Sequence, residues 1–319
     1  MQQKQLKRSA KMLNAAEGFL LCVATSEAVL GVLGDTFIAL VNCMDYTKNK
    51  KLSKIGFILT GLAISRIGVI WIIILQGYVQ VFVPHMLTSG NITQYITYIW
   101  VFLNHLSVWF ATNLNILYFL KIASFSNSVF LWLKRRISAV FIFLSGCLFT
   151  SWLLCFTQMT KILRDSKMFQ GNTSLVHQQK NYFLINQSLT NLGILFFIIV
   201  SLITCFLLIV FLWRHIRQMQ SGVSGFRDLS TEAHEKAMKF LISFMILFIL
   251  HFLGISIEVL CFILPQNKLL FITGLTATCL YPCGHSIVLI LGNKQLKRAS
   301  LKALQHLKCC ETKGNLRAT

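Results

Sequence analysis

Apolar runs of about twenty residues, separated by short polar segments, dominate the chain. Seven of them fall near 18–42, 55–77, 95–120, 137–157, 182–212, 237–262 and 269–292. A helix rises about 1.5 Å per residue, so each run is long enough to cross a hydrocarbon core of about 30 Å. Within lipid only helices and closed barrels satisfy their own backbone, and apolar runs of this length form helices. The pattern predicts an all-α membrane protein. It has a seven-transmembrane helix bundle over 18–292, a tail over 1–17, and a second tail over 293–319 carrying a short amphipathic C-terminal helix. The composition agrees: 55% of the 319 residues are hydrophobic and only 13% charged, too few polar side chains to cover a soluble domain.

The net charge of +20 would suit nucleic acid, but its placement points elsewhere. Of the 30 basic residues, twenty fall in the first loop, the loop after span three, the loop between spans five and six, and the C-terminal tail. Nine fall on the other side, and Arg66 lies inside the second run. Positive charge marks the cytoplasmic face, so the N-terminus is expected outside and the C-terminus inside; the expected location is the plasma membrane. Basic residues beside a membrane attract anionic lipid and acidic partners. Nucleic-acid binding is not expected, since the bases do not form one accessible surface interleaved with aromatics. Lys4, Lys7, Arg8 and Lys11 run against the bias; they fit either a tail from an upstream start or translation beginning at Met12.

Eight of the ten cysteines lie in or at the ends of apolar runs, where cysteine acts as a small hydrophobe. No outer loop contains one, and none has metal-ligand spacing, so neither a disulfide framework, a metal nor a cofactor is expected. Cys309 and Cys310 in the tail fit either palmitoylation or an unmodified tail. Glycosylation sequons begin at Asn91, Asn172 and Asn186. The first two fall in loops assigned to the outside, as a glycan requires, whereas Asn186 is too close to the membrane.

Polar side chains inside a span are costly and normally face protein, so they carry the functional signal. Arg66 lies about twelve residues from the basic end of its span, too deep to snorkel, and Asp35 lies about seven residues from the same face on span one. An arginine side chain bridges that difference in depth, and an interhelical clamp between the two is expected. Trp100 and Asn104 share one face of span three with Ser107 and Ala111, and His105 lies one step round. Span five offers Gln187 and Asn191 at the same spacing, and span six offers His251 and Glu258. Taken singly, each is accounted for by an interhelical hydrogen bond. Together at one depth they describe an apolar, aromatic ligand cavity with a few fixed polar groups.

The ends of the spans near the basic loops are the most specific part of the sequence. Span three ends LYFLKIASFSNSVFLWLKRR, span five runs into LWRHIRQMQ, span six starts from GFRDLSTEAHEKAMK, and span seven ends YPCGHSIVLILGNKQLKRASL. With LTGLAISR in span two, these strings resemble the bitter taste receptor family (type 2 taste receptors) in order and spacing across essentially the whole chain. The signatures of rhodopsin-like receptors, Asp-Arg-Tyr after span three and Asn-Pro-x-x-Tyr in span seven, are missing.

The resemblance implies a G-protein-coupled receptor for bitter small molecules, signalling through a gustducin-type G protein. It also implies a ligand site formed by helices three, five, six and seven. Matching positions are Trp100, Asn104, Gln187 and Leu275, joined by His251 and Glu258 from the residue reading. Arg66 matches the family's helix-two arginine, and His285-Ser286 its helix-seven pair. Tyr118 and Lys121 match the end of helix three that meets the G protein, and His215, Arg217, Arg227 and Lys239 are expected to border the same surface. Asp35 departs from the family's usual Asn and adds a charge beside Arg66. His251 departs from a usual Tyr, and Leu117 from a usual Phe. A pheromone-type seven-helix receptor is the alternative. A transporter would show repeat symmetry and Gly/Pro-broken helices at midplane, and an enzyme would show clustered ligands or paired carboxylates, which do not occur.

Overall fold

The computed structural model describes residues 14–50, 53–83, 92–123, 128–168, 175–220, 229–263 and 267–315. Within them the chain is helical throughout. The spans are α1 (Ala15–Asn49), α2 (Lys54–Phe82), α3 (Ile92–Ile122), α5 (Ile137–Met168), α6 (Leu175–Gln220), α7 (Leu229–Ile263) and α8 (Lys268–Gly292). A short helix α4 (Ser128–Arg135) precedes α5, and α9 (Lys294–Asn315) follows α8.

Local chemistry fixes several helix ends. The Asn14 N–H donates to Glu17 Oε2 at 2.9 Å, so α1 begins three residues before the apolar run does. It closes at Lys50, in the left-handed region with φ 51, whose N–H donates to Tyr46 O at 2.8 Å. At the start of α8 the Asn267 side chain accepts from the Leu270 N–H at 3.3 Å.

Six of the spans contain a stretch long and apolar enough to cross a membrane by composition, and α3 is the exception. Its 31 residues give it the length, but Asn104, His105, Ser107, Thr112, Asn113 and Asn115 are all buried in it. Every residue from 107 to 115 is buried. A helix encased on all sides has no lipid-facing stripe to keep apolar, and it can carry hydrogen-bonding groups instead.

The chain divides into two compact units. One comprises 13–67 and 226–319, hence α1, the first part of α2, α7, α8 and α9. Here α8 is central, packing against α1 and α7, while α9 lies against α8 and α1. The sixth and seventh spans cross where two glycines meet. A Cβ on Gly254 would lie 2.7 Å from Thr278 N and 2.9 Å from Gly274 O, and one on Gly274 would lie 3.1 Å from Gly254 O. Those neighbours are backbone atoms that cannot swing aside, so the crossing requires glycine.

The other unit runs over 68–225, hence the rest of α2 with α3 to α6. Here α3 is central, packing against α5 and α6, and α4 touches the ends of α3 and α5. Thr112 Oγ1 donates to Phe197 O at 3.1 Å, and Asn115 Nδ2 donates to Ser201 Oγ at 2.5 Å, joining α3 to α6. Stacked Phe102 and Trp152, 4.3 Å between ring centroids, join α3 to α5.

Candidate ligand and signalling sites

The unit built on α8 holds a continuous polar and aromatic core. Arg66 is fully buried, and its Nη2 donates to Tyr281 Oη at 2.8 Å and meets His285 Nδ1. The guanidinium also lies over the Tyr281 ring, 4.8 Å from its centroid. Ser286 Oγ donates to Asp35 Oδ1 at 2.6 Å and lies 2.8 Å from Pro282 O. Phe244 packs on His285 at 4.7 Å and Phe248 on Tyr281 at 5.4 Å, closing the cluster from α7.

The expected direct clamp between Asp35 and Arg66 is therefore corrected: no hydrogen bond or ion pair joins them. Arg66 turns to α8, and Ser286 covers Asp35. The two charges remain within electrostatic reach, but Asp35 Oδ2 and Arg66 Nε and Nη1 have no hydrogen-bond partner among the described residues. His285 and Ser286 are thus both engaged, the first by the cation and the second by the anion.

A second group continues from this cluster along α7 and α8. Pro282 has no N–H, which leaves the carbonyl of Thr278, one turn earlier, without its helical donor. His251 Nδ1–H donates to that carbonyl at 3.2 Å, and the His251 ring lies 4.8 Å from Tyr281. Thr278 Oγ1 donates to Glu258 Oε1 at 2.8 Å, and Glu258 Cγ lies against Gly274. So His251 and Glu258 converge, as their spacing suggests, and both do so on Thr278. Leu275 is buried beside them on α8.

In the unit built on α3, Trp100 and Asn104 are both buried one turn apart. Among the described residues no acceptor meets Asn104 Nδ2. His105 Nδ1–H donates to Val101 O at 2.8 Å, so it faces a different neighbour from Asn104. Gln187 lies within α6, and its side chain falls outside the described residues.

At the basic ends, Tyr118 is half-buried and Lys121 exposed on α3. His215 stacks on Phe211 at 6.1 Å, and Arg217 lies over Trp213 at 5.6 Å. Lys239 Nζ pairs with Glu235 Oε1 at 2.9 Å within α7. Arg227, Asn91 and Asn172 fall outside the described residues.

Sequence reasoning passed over Tyr281, Thr278 and Glu27. Tyr281 is the hub of the Arg66 cluster, and its spacing to His285 was the available signal. Glu27 lies on the Asp35 face of α1, two turns away. Its Oε2 has no partner among the described residues, and it reaches Cys279 and Cys283 electrostatically.

Residues 12–308 match the family model described as taste receptor protein (TAS2R). The chain belongs to the type 2 taste receptor family. It is 87% identical to taste receptor type 2 member 107 of Mus musculus over 96% of this chain and 99% of the relative. Member 107 of Rattus norvegicus is 82% identical over 97% and 100%, and member 10 of Papio hamadryas 59% identical over the same shares. This is the bitter taste receptor family that the helix-end strings resemble, and it decides against the pheromone-type and transporter alternatives. The receptor is a multi-pass membrane protein.

Proposed function

We propose that this bitter taste receptor contacts its agonists through Trp100, Asn104 and Gln187 on the third and fifth spans and through His251, Glu258 and Leu275 on the sixth and seventh. Bitter small molecules are the ligand class and a gustducin-type G protein the partner. The observation that carries the site is the buried Asn104 amide, whose Nδ2 donor has no acceptor among the described residues, one turn from the flat Trp100 side chain. An unpartnered buried donor is costly unless something accepts from it. Trp100 supplies apolar stacking area, and Glu258, already held by Thr278, supplies a carboxyl group whose ionised form selects basic agonists.

Charge distribution supports the N-terminus outside, with glycans on Asn172 and Asn91, and the basic ends inside. Tyr118, Lys121, His215, Arg217, Arg227 and Lys239 then border the G-protein surface when the sixth span moves. Asp35, Arg66, His285 and Ser286 set the equilibrium between resting and signalling states.

Calcium imaging of cells expressing the receptor with a promiscuous taste-type G protein, against a panel of bitter compounds, tests the reading. At least one compound evokes a response, and Asn104→Ala lowers its potency by about 1–3 kcal/mol equivalent. Glu258→Gln keeps an oxygen for Thr278 and weakens only basic agonists. Silence across the panel at confirmed surface expression overturns the functional reading; unchanged potency in Asn104→Ala moves the site elsewhere.

A further inference from the structure

We propose that α4 is a docking element for anionic phospholipid headgroups of the leaflet facing the basic loops. Among its described side chains the helix is anchored through Phe130 and Leu133. Phe130 is buried and packs edge-on against Phe119 at the end of α3, 5.6 Å between ring centroids, and Leu133 is half-buried. At 100° per residue the positions from Leu131 onward, with Arg136 just past the helix end but its N–H still bonded to Trp132 O, fan across the opposite arc in the order Lys134, Leu131, Arg135, Trp132, Arg136. All five are exposed, Trp132 by 54% and Leu131 by 43%. Cations and large apolar side chains thus alternate around one open face.

Two of the cations already use aromatic rings as supports. Arg136 Cζ lies 5.9 Å from the Trp132 ring centroid, and Lys134 Nζ lies 5.8 Å from that of Phe130. Tryptophan and snorkelling Lys or Arg together are the side chains that settle at the boundary between acyl chains and headgroups. Among the described residues no carboxylate pairs with these cations, and the sequence has no acidic residue between Asp45 and Asp165. At the end of α6, in the same unit, exposed Trp213 and Arg217 repeat the pairing.

The arrangement specifies the ligand chemistry. Lys134, Arg135 and Arg136 are consecutive, so their side chains diverge instead of converging on one point. A single polyphosphorylated headgroup would need convergent donors. Diverging cations with Leu131 and Trp132 between them suit several monovalent headgroups of the phosphatidylserine type, with the apolar pair seated among the first acyl carbons.

The experiment uses the full-length receptor in nanodiscs of phosphatidylcholine containing a fixed fraction of phosphatidylserine. One or the other lipid carries bromine on acyl carbons near the headgroup. The Trp132 fluorescence component is the difference between the receptor and its Trp132→Phe variant. Brominated phosphatidylserine should quench it about twofold more than brominated phosphatidylcholine at equal mole fraction, and raised salt should shrink that preference. The Lys134→Gln/Arg135→Gln/Arg136→Gln variant should abolish it. A Lys294→Gln/Lys297→Gln/Arg298→Gln variant, altered in α9, should leave it intact. Equal quenching by both lipids in the unaltered receptor overturns the proposal without need of any cation variant. A triple α4 variant that keeps the lipid preference but loses G-protein coupling also overturns it, and assigns the face to the protein partner.

Discussion

The two units bury polar groups by opposite means. Around α8 the buried set includes a guanidinium and an acidic side chain, Arg66 and Asp35, linked to Tyr281, His285 and Ser286. Around α3 the described buried polar residues are neutral amides and hydroxyls with His105, and they join helices by single hydrogen bonds such as Thr112 to Phe197 and Asn115 to Ser201. Neutral bonds in a membrane are worth little individually and can be lost one by one. A buried charge cluster is all-or-none, because removing one member leaves another charge in low dielectric. One unit therefore holds its polar core by bonds that can be lost singly, and the other by a few atoms that depend on one another.

Arg66→Ala breaks the comparison most severely. It leaves the Asp35 carboxylate without its neighbouring cation and removes the donor to Tyr281, an expected loss of about 3 kcal/mol or more. Surface expression and thermal inactivation in detergent should both show it, and adding Asp35→Asn should restore part of the loss. A double variant no better than the single would show that Tyr281 and His285, not Asp35, are what Arg66 serves.

Next in size are two glycine substitutions, one chosen from each unit. A Cβ at Gly254 meets backbone atoms of Thr278 and Gly274, whereas at Gly193 it meets the side chains of Ser151 and His105. Gly254→Ala should cost about 1–3 kcal/mol in thermal stability, because the helices themselves must part. Gly193→Ala should cost less, since Ser151 can change rotamer. The reverse order would mean that the α7–α8 crossing yields more easily than its geometry suggests.

Asn115→Ala removes one neutral interhelical bond and should cost about 1 kcal/mol, well below Arg66→Ala, in the same inactivation assay. Smallest of all is Glu235→Gln. Lys239 is 70% exposed in that pair, so the change should leave stability within about 0.5 kcal/mol. Its use is as a baseline: a large loss there would show that surface charges matter as much as buried ones, and the contrast between the units would lose its meaning.

Much of the core could be read from residue spacing. His251 and Glu258 do point to one place, and Arg66 is as deep and as buried as its position in the second run implies. What spacing could not show was the partner. Depth alone made Asp35 the natural mate of Arg66, yet a serine covers the aspartate, and the arginine turns to a tyrosine that looked like ordinary aromatic filling. Thr278 escaped notice because its role depends on Pro282, which frees a carbonyl only once the chain is helical on both sides of it.

By itself the sequence determined the seven spans and the family, because apolar run length and helix-end strings are local properties that lipid and heredity act on directly. Tertiary structure alone decided which polar groups meet. Hydrogen bonds between helices depend on rotations and crossings set by contacts such as Gly254 on Gly274, and a shift of one residue there would hand Thr278, Tyr281 and Ser286 to different partners. The fully buried middle of α3 makes the same point in reverse: its polar composition looks unfit for a membrane until the helices around it remove the lipid from its surface.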